Sequence, residues 1–142
     1  MSLSATTVIG QPVETVWDYV MDVSNDVNWR SGLDESGWRE EGQSTEVGSI
    51  GYTRANNQEM EWRIVVHVPG ERVEWEFLNG PFSGRGGYIV NAVEGGTEFT
   101  LMAEIKPKGT YKLLGPIFRW VGKRGNETDV QRLKGILESA TE

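Results

Sequence analysis

From about residue 50 to residue 105 the chain alternates apolar and polar side chains with a period of two, almost without interruption. Ile50, Tyr52 and Arg54 share one face of the first segment. Met60, Trp62, Ile64, Val66 and Val68 share a face of the next, with Glu59, Glu61, Arg63 and His67 opposite. Val73, Trp75 and Phe77 then alternate with Arg72, Glu74 and Glu76. Gly86, Tyr88, Val90 and Ala92 follow, and Phe99, Leu101, Ala103 and Ile105 finish the series at Pro107. Such alternation belongs to strands with one buried and one wet face. Pro69-Gly70, Asn79-Gly80-Pro81 and Glu94-Gly95-Gly96 are turn signals between them. Short turns joining successive strands imply an antiparallel meander.

Helical patterns stand at both ends of this sheet. Thr6–Gly10 reads as a first strand and runs into Pro12, which suits the first turn of a helix because its missing N–H is no loss there. Val13, Val16, Trp17, Val20 and Met21 follow at the spacing of one helical stripe. Ser24 opens a second short turn through Asn28-Trp29-Arg30, ended by Ser31-Gly32. A closing helix is predicted from Gly115-Pro116 to Glu138, with Phe118, Val121, Leu133, Ile136 and Leu137 toward the sheet. Gly122 and Gly125 interrupt it, each costing ~1 kcal/mol relative to Ala. With Asn126 able to cap a second segment and Asp129 in its first turn, a break is predicted near Gly125-Asn126. A sheet with a helix at each end suits the wrapping of a small molecule.

At 142 residues the chain reads as one domain, 1–142, with a single sizeable core. It has no cysteine and a single histidine, so disulfides, thiolate sites and a transition-metal centre are not expected, and no cofactor is called for. MSLSATTV carries no basic region followed by an apolar run, and no apolar run approaches the ~20 residues of a membrane span. A cytoplasmic protein without stable membrane association is the expectation. The net charge of −7 argues against nucleic-acid binding. That charge is uneven: residues 106–134 hold Lys106, Lys108, Lys112, Arg119, Lys123, Arg124, Arg132 and Lys134 against Glu127 and Asp129. The basic segment is either a solvated helix face or a mark of an anionic ligand or partner.

Six pieces occur in a telling order: Gly10-Gln11-Pro12-Val13-Glu14-Thr15-Val16-Trp17 with Asp22 and Trp29; Gly48-Ser49-Ile50-Gly51; Glu71-Arg72-Val73-Glu74-Trp75; Gly87-Tyr88-Ile89-Val90; Gly96-Thr97-Glu98-Phe99-Thr100; and Leu133-Lys134-Gly135-Ile136-Leu137-Glu138. Together they resemble the START-like, or SRPBCC, superfamily, and most closely its polyketide cyclase/dehydrase-like members. The resemblance covers nearly the whole chain. It implies an α+β helix-grip fold: a curved antiparallel sheet around a long C-terminal helix, two short helices after the first strand, and a cavity between sheet and helix. Members of the superfamily bind lipids, hormones and quinones, cyclise polyketides, or belong to a co-chaperone-related branch, so fold is implied more strongly than chemistry.

Given that fold, the inward strand faces supply an aromatic lining, and Gly86, Ala92 and Ala103 leave volume beside it. The expected ligand-contacting set is Trp29, Tyr52, Arg54, Trp62, Trp75, Phe77, Tyr88, Phe99, Leu101, Phe118 and Val121. The same aromatics also serve as plain core. Arg54, continuing the register of Ile50 and Tyr52, suits a clamp for a carboxylate, phosphate or enolate oxygen. Asp34 and Glu35, after the second short helix, fall near the mouth, where a carboxylate can act as a general acid or base. His67 is expected on the convex face. Gly84-Arg85-Gly86-Gly87 lacks the following Lys-Ser/Thr and the strand–loop–helix setting of a phosphate loop. The connection Lys106–Lys112, which the resemblance sets at the cavity mouth, is basic, with Phe118 and Trp120 close by. Lys and Arg around aromatics favour anionic surfaces, so transient membrane contact stays open.

Three functional classes stay open on the sequence. The first is a binder of a small hydrophobic ligand such as a lipid or polyketide. The second is a polyketide cyclase or dehydratase working in the same cavity, with Arg54, Tyr52, Tyr88 or Asp34 polarising a carbonyl or moving a proton; two or more polar side chains converging inside the cavity would favour it. The third is a protein-interaction module with a basic C-terminal surface. A homodimer through exposed sheet edges is compatible with all three.

Overall fold

The alternating tract forms five long or medium strands, with a short one before them and another at the start of the chain. These are β1 (Ala5–Ile9), β2 (Glu35–Trp38), β3 (Ile50–Ala55), β4 (Gln58–Val68), β5 (Arg72–Phe77), β6 (Phe82–Val93) and β7 (Gly96–Pro107). The computed structural model describes residues 2–80, 82–109 and 115–139. It joins the strands in the order β1-β7-β6-β5-β4-β3-β2, every neighbouring pair antiparallel. The meander therefore runs from β2 to β7, and β1 adds to the far edge of β7, with the Thr6 and Thr100 hydroxyls 3.0 Å apart. The β3–β4 hairpin turns on Asn56 and Asn57 at φ of 51° and 65°, a left-handed pair that asparagine tolerates and a tight hairpin requires.

Between β1 and β2 lie α1 (Val13–Met21), a 3₁₀ turn over Val23–Asn25 and α2 (Asp26–Trp29). Pro12 stands immediately before α1, and Val16, Trp17 and Val20 form its buried stripe. Asp22 ends the helix and caps the next turn, accepting from the Ser24 N–H at 3.1 Å and its hydroxyl at 2.6 Å. Trp29, Phe99, Ile9, Leu101, Leu133, Val16 and Val20 are sealed from solvent. Each such side chain stabilises the fold by roughly 1.5–3 kcal/mol.

The last helix, α3 (Gly115–Ser139), lies along β1 and β7 and touches α2. It buries Val130, Leu133 and Leu137. Its C-terminal end is tied to the loop after β1: Glu138 accepts from the Gly10 N–H and from Lys134, both at 2.8 Å, and the Gln11 amide donates to the Leu137 carbonyl at 2.8 Å. The helix is continuous through Gly125-Asn126, against the break read from the sequence. Asn126 does not cap. Its amide donates to the Leu3 carbonyl at 2.8 Å. Gly122 is there for a neighbour as well, since a Cβ on it would come within 2.8 Å of the Leu3 side chain. The architecture is the helix-grip expected from the sequence, with the sheet's apolar face turned to α1, α2 and α3.

Two strand faces differ from the expected ones. In β3, Gly51, Thr53 and Ala55 face inward, while Ile50, Tyr52 and Arg54 face out. Gly51 is paired with Trp62, and the indole lies across it; a Cβ there would be 2.2 Å from the ring. The Trp62 indole N–H donates to the Thr53 hydroxyl at 3.0 Å. A one-residue change of register turns a whole strand over, and the indole needed the glycine beneath it more than the sheet needed Ile50. In β4 a bulge between Ile64 and Val66 restarts the alternation. His67 thereby pairs with Val73 on the concave side and stacks on Trp17, with ring planes 4° apart and centroids 6.3 Å apart. It does not stand on the convex face.

Candidate functional site

The inner face of the sheet carries a ladder of rings. Trp38 on β2 meets Trp62 on β4 at 5.3 Å, Trp62 meets Trp75 on β5 at 6.1 Å, and Trp75 meets Tyr88 on β6 at 4.9 Å. Tyr88 in turn contacts Trp29 at 5.6 Å and Phe99 at 5.5 Å. All these contacts are tilted or edge-to-face, the arrangement favoured by ring quadrupoles. Glycines set how the indoles lie. Trp62 covers Gly51 and Trp75 covers Gly86, where an added Cβ would stand 2.7 Å from the indole nitrogen. Gly86 thus gives room to a ring; it does not leave a void, and Ala92 is exposed at the end of its strand. With the indoles laid along the sheet, a pocket of about 430 Å³ remains between sheet and helices. Its walls include Trp38, Trp62, Trp75, Phe77 and Tyr88, with Val20 and Met21 of α1 above and Gly122 and Asn126 of α3 at one side.

Polar groups converge on one part of this wall. Asp26 and Arg30, one helical turn apart in and after α2, both line the pocket, as does Tyr88. Asp26 is 8 % exposed. One carboxyl oxygen accepts from the Ser36 hydroxyl at 3.0 Å, and the other has no hydrogen-bond partner among the described residues. Burial raises the Asp26 pKa to about 6, against the opposing influence of the Arg30 charge and the Ser36 hydrogen bond. Tyr88 is held well above its ordinary value, first by burial and then by the Asp26 charge, so it stays a neutral hydroxyl. Arg30 is fixed from behind: Nε is 3.3 Å from Asp129 Oδ2, and the guanidinium carbon lies 5.3 Å from the centre of the Trp29 ring. Asp129 is itself buried and accepts from the Ser31 N–H at 3.1 Å and from the Ser31 hydroxyl. A permanent cation, a carboxyl able to exchange a proton near neutrality and a neutral phenol therefore share one apolar wall.

Of the residues singled out in the sequence, Trp62, Trp75, Phe77 and Tyr88 line the pocket. Trp29, Phe99 and Leu101 are packed behind it in the core, at most 1 % exposed. Tyr52 and Arg54 are on the opposite face of the sheet: the Tyr52 hydroxyl donates to Glu35 at 2.7 Å, and Arg54 pairs with Glu35 and, at 3.1 Å, with Glu59. Asp34 is exposed and accepts from the Asn56 N–H at 3.2 Å, closing the loop beside the hairpin. Val121 is 56 % exposed and points away from the pocket that its neighbour Gly122 lines. The side chain of Phe118 and the connection 110–114 lie outside the described residues. Sequence reasoning missed Asp26, Arg30 and Trp38. The available signal was an acid and an arginine at i, i+4 around Trp29, which brings both charges to one side of a helical turn.

The ring-lined pocket lies between a helix-grip sheet and its helices. The chain belongs to the polyketide cyclase/dehydrase and lipid transport family, whose model matches residues 1–138. No curated protein matches it significantly. Among solved structures it is similar to TTHA0849 from Thermus thermophilus, with a TM-score of 0.78 at 15% identity and all of both chains covered. The Zhui aromatase/cyclase from Streptomyces sp. R1128 superposes with a TM-score of 0.77 at 15% identity, over 100% of this chain and 96% of that one. BH1534 from Bacillus halodurans gives 0.77 at 17% identity, over 97% of each. At such identities the likeness is one of fold.

Proposed function

We propose that the protein binds a small hydrophobic ligand, a lipid, a polyketide or a comparable molecule, in the pocket between the sheet and α3. The ligand's polar end sits against Asp26 and Arg30. The observation that carries this reading is the buried, pocket-lining Asp26 carboxyl with one oxygen unpartnered among the described residues. An unmet buried polar atom costs roughly 1–3 kcal/mol. A ligand hydroxyl donating to the carboxylate, or a ligand oxygen accepting from the protonated acid, removes that cost. The volume falls within the ~300–1,000 Å³ usual for small-molecule sites, and the aromatic walls supply the apolar contact. The test is mass spectrometry of solvent extracts from protein purified out of cells, with displacement of an environment-sensitive fluorophore by the compounds found. Arg30→Met is expected to weaken polar-headed ligands about ten-fold or more and a wholly apolar probe far less. A protein that retains no extractable compound and takes up no probe would sink the proposal.

A second reading is favoured by the convergence of Asp26, Arg30 and Tyr88: a cyclase or dehydratase of the polyketide type. The aromatase/cyclase among the structural neighbours supports it. Asp26 is the one acid among the described lining residues, and it gains and loses a proton close to neutral pH. In a dehydration the Asp26 carboxylate would take the α-proton of a β-hydroxy carbonyl while Arg30 holds the developing enolate oxygen, and would then give that proton to the β-hydroxyl, which leaves as water as the enolate electrons form the new C=C bond. Asp26→Asn is expected to abolish turnover of a linear poly-β-ketone thioester and to leave binding within a few-fold. Unchanged turnover in that variant would remove the catalytic reading and leave the binding one standing.

A further inference from the structure

The start of α3 exposes what a core helix would hide. Ile117, Trp120 and Val121 are 62 %, 64 % and 56 % exposed. Their spacing of i, i+3, i+4 gathers them into one stripe. At 3.6 residues per turn that stripe points roughly opposite the line of Gly122, Asn126, Leu133 and Leu137, which faces the pocket and the core. These three side chains thus face away from the core that the described residues build. Exposed Arg124 stands within the stripe, its guanidinium 5.5 Å from the centre of the Trp120 ring, exposed Lys123 stands at the stripe's side, and exposed Arg119 lies further round the helix. Lys106 and Lys108, exposed at the end of β7, add to the same sign. Glu127, exposed one turn on from Lys123 and Arg124, is the one acid on this side among the described residues of 115–128. All this is set in a protein of net charge −7.

An apolar stripe containing a tryptophan and bordered by cations is the composition that seats a helix at a lipid headgroup boundary. We propose that this turn of α3 docks the protein reversibly onto an anionic lipid surface, with Ile117, Trp120 and Val121 entering the interface and Lys123 and Arg124 meeting headgroup phosphates. Charge complementarity selects the occupant: the acidic remainder of the molecule is repelled by the same surface, which orients the protein with this helix face down. The proposal stands whether or not the pocket's occupant is a lipid.

The experiment is flotation of the whole protein with vesicles of phosphatidylcholine alone and of phosphatidylcholine with about one third phosphatidylglycerol. Binding to the anionic vesicles only, falling away in about 0.5 M salt, is expected. Lys123→Gln and Arg124→Gln are each expected to lower partition roughly five-fold, and Arg119→Gln, round the helix from the stripe, clearly less. The variant carrying Ile117→Ser, Trp120→Ser and Val121→Ser is expected to lose it, while unchanged circular dichroism and pocket-probe binding show an intact fold. Equal binding to neutral vesicles, absence of binding at low salt, or variants that float like the parent would overturn the proposal. So would salt-sensitive binding to soluble polyglutamate without any to vesicles, which would make the patch a site for an acidic protein.

Discussion

Asp26 couples the site to pH. Its folded-state pKa of about 6 lies above the ordinary 3.8, so folding favours the protonated acid. That contribution is complete below about pH 3.8 and is lost as pH rises through about 6. The difference corresponds to about 3 kcal/mol. Asp26→Asn should therefore flatten the decline in stability between pH 4 and 7 and raise stability at pH 7.5, as read by urea unfolding; an unchanged pH profile would refute the assignment. The glycines beneath the indoles are the second residue-scale lever. Gly51→Ala sets a methyl into the Trp62 ring and is expected to cost about 1–3 kcal/mol, with a changed near-ultraviolet dichroism. At this scale the sequence spoke clearly where large rings alternate: Trp62, Trp75, Phe77 and Tyr88 were readable as inward. For Asp26 and Arg30 it offers only their i, i+4 spacing, because a four-residue helix has no periodicity to show which way its charges point.

At the scale of elements, existence was easier to read than facing. The strands and both terminal helices follow from alternation, apolar stripes and turn residues. In β3 the apolar Ile50 marks the wrong face as the inside, because Gly51 beneath Trp62 decides the register. The β4 bulge adds one residue that no alternation rule foresees, and His67 changes sides with it. In α3 Gly122, Gly125 and Asn126 read as a break, yet the helix runs on through them, and Gly122 and Asn126 answer to Leu3, 123 positions before Asn126. Asn126→Ala should accordingly cost about 1 kcal/mol by loosening Leu3, not by altering helix content. Calorimetry with far-ultraviolet dichroism separates the two.

For the whole molecule, the grip has two ends of unequal character. At one, Gly10 and Gln11 hold Glu138 and Leu137, and these polar groups meet their partners across the fold. At the other end the pocket opens between α2, α3 and the middle strands, and stability there is left for a ligand to add. At a ligand concentration a hundred times its Kd, unfolding free energy should rise by about 2.7 kcal/mol, visible as a melting shift of a few degrees. A compound that binds without shifting the melt would have to bind the unfolded chain equally well.

The pairing of β1 with β7 sets an order of events during synthesis. Thr6 leaves the ribosome long before Thr100, its partner 94 positions on. The six-strand meander can close hairpin by hairpin as it emerges, whereas β1, α1 and the loop that clasps α3 must wait for nearly the whole chain. Non-local closure of this kind is slow. A chain that folds in this order would hold a paired β2–β7 sheet with its first strand adrift, and would close the pocket last.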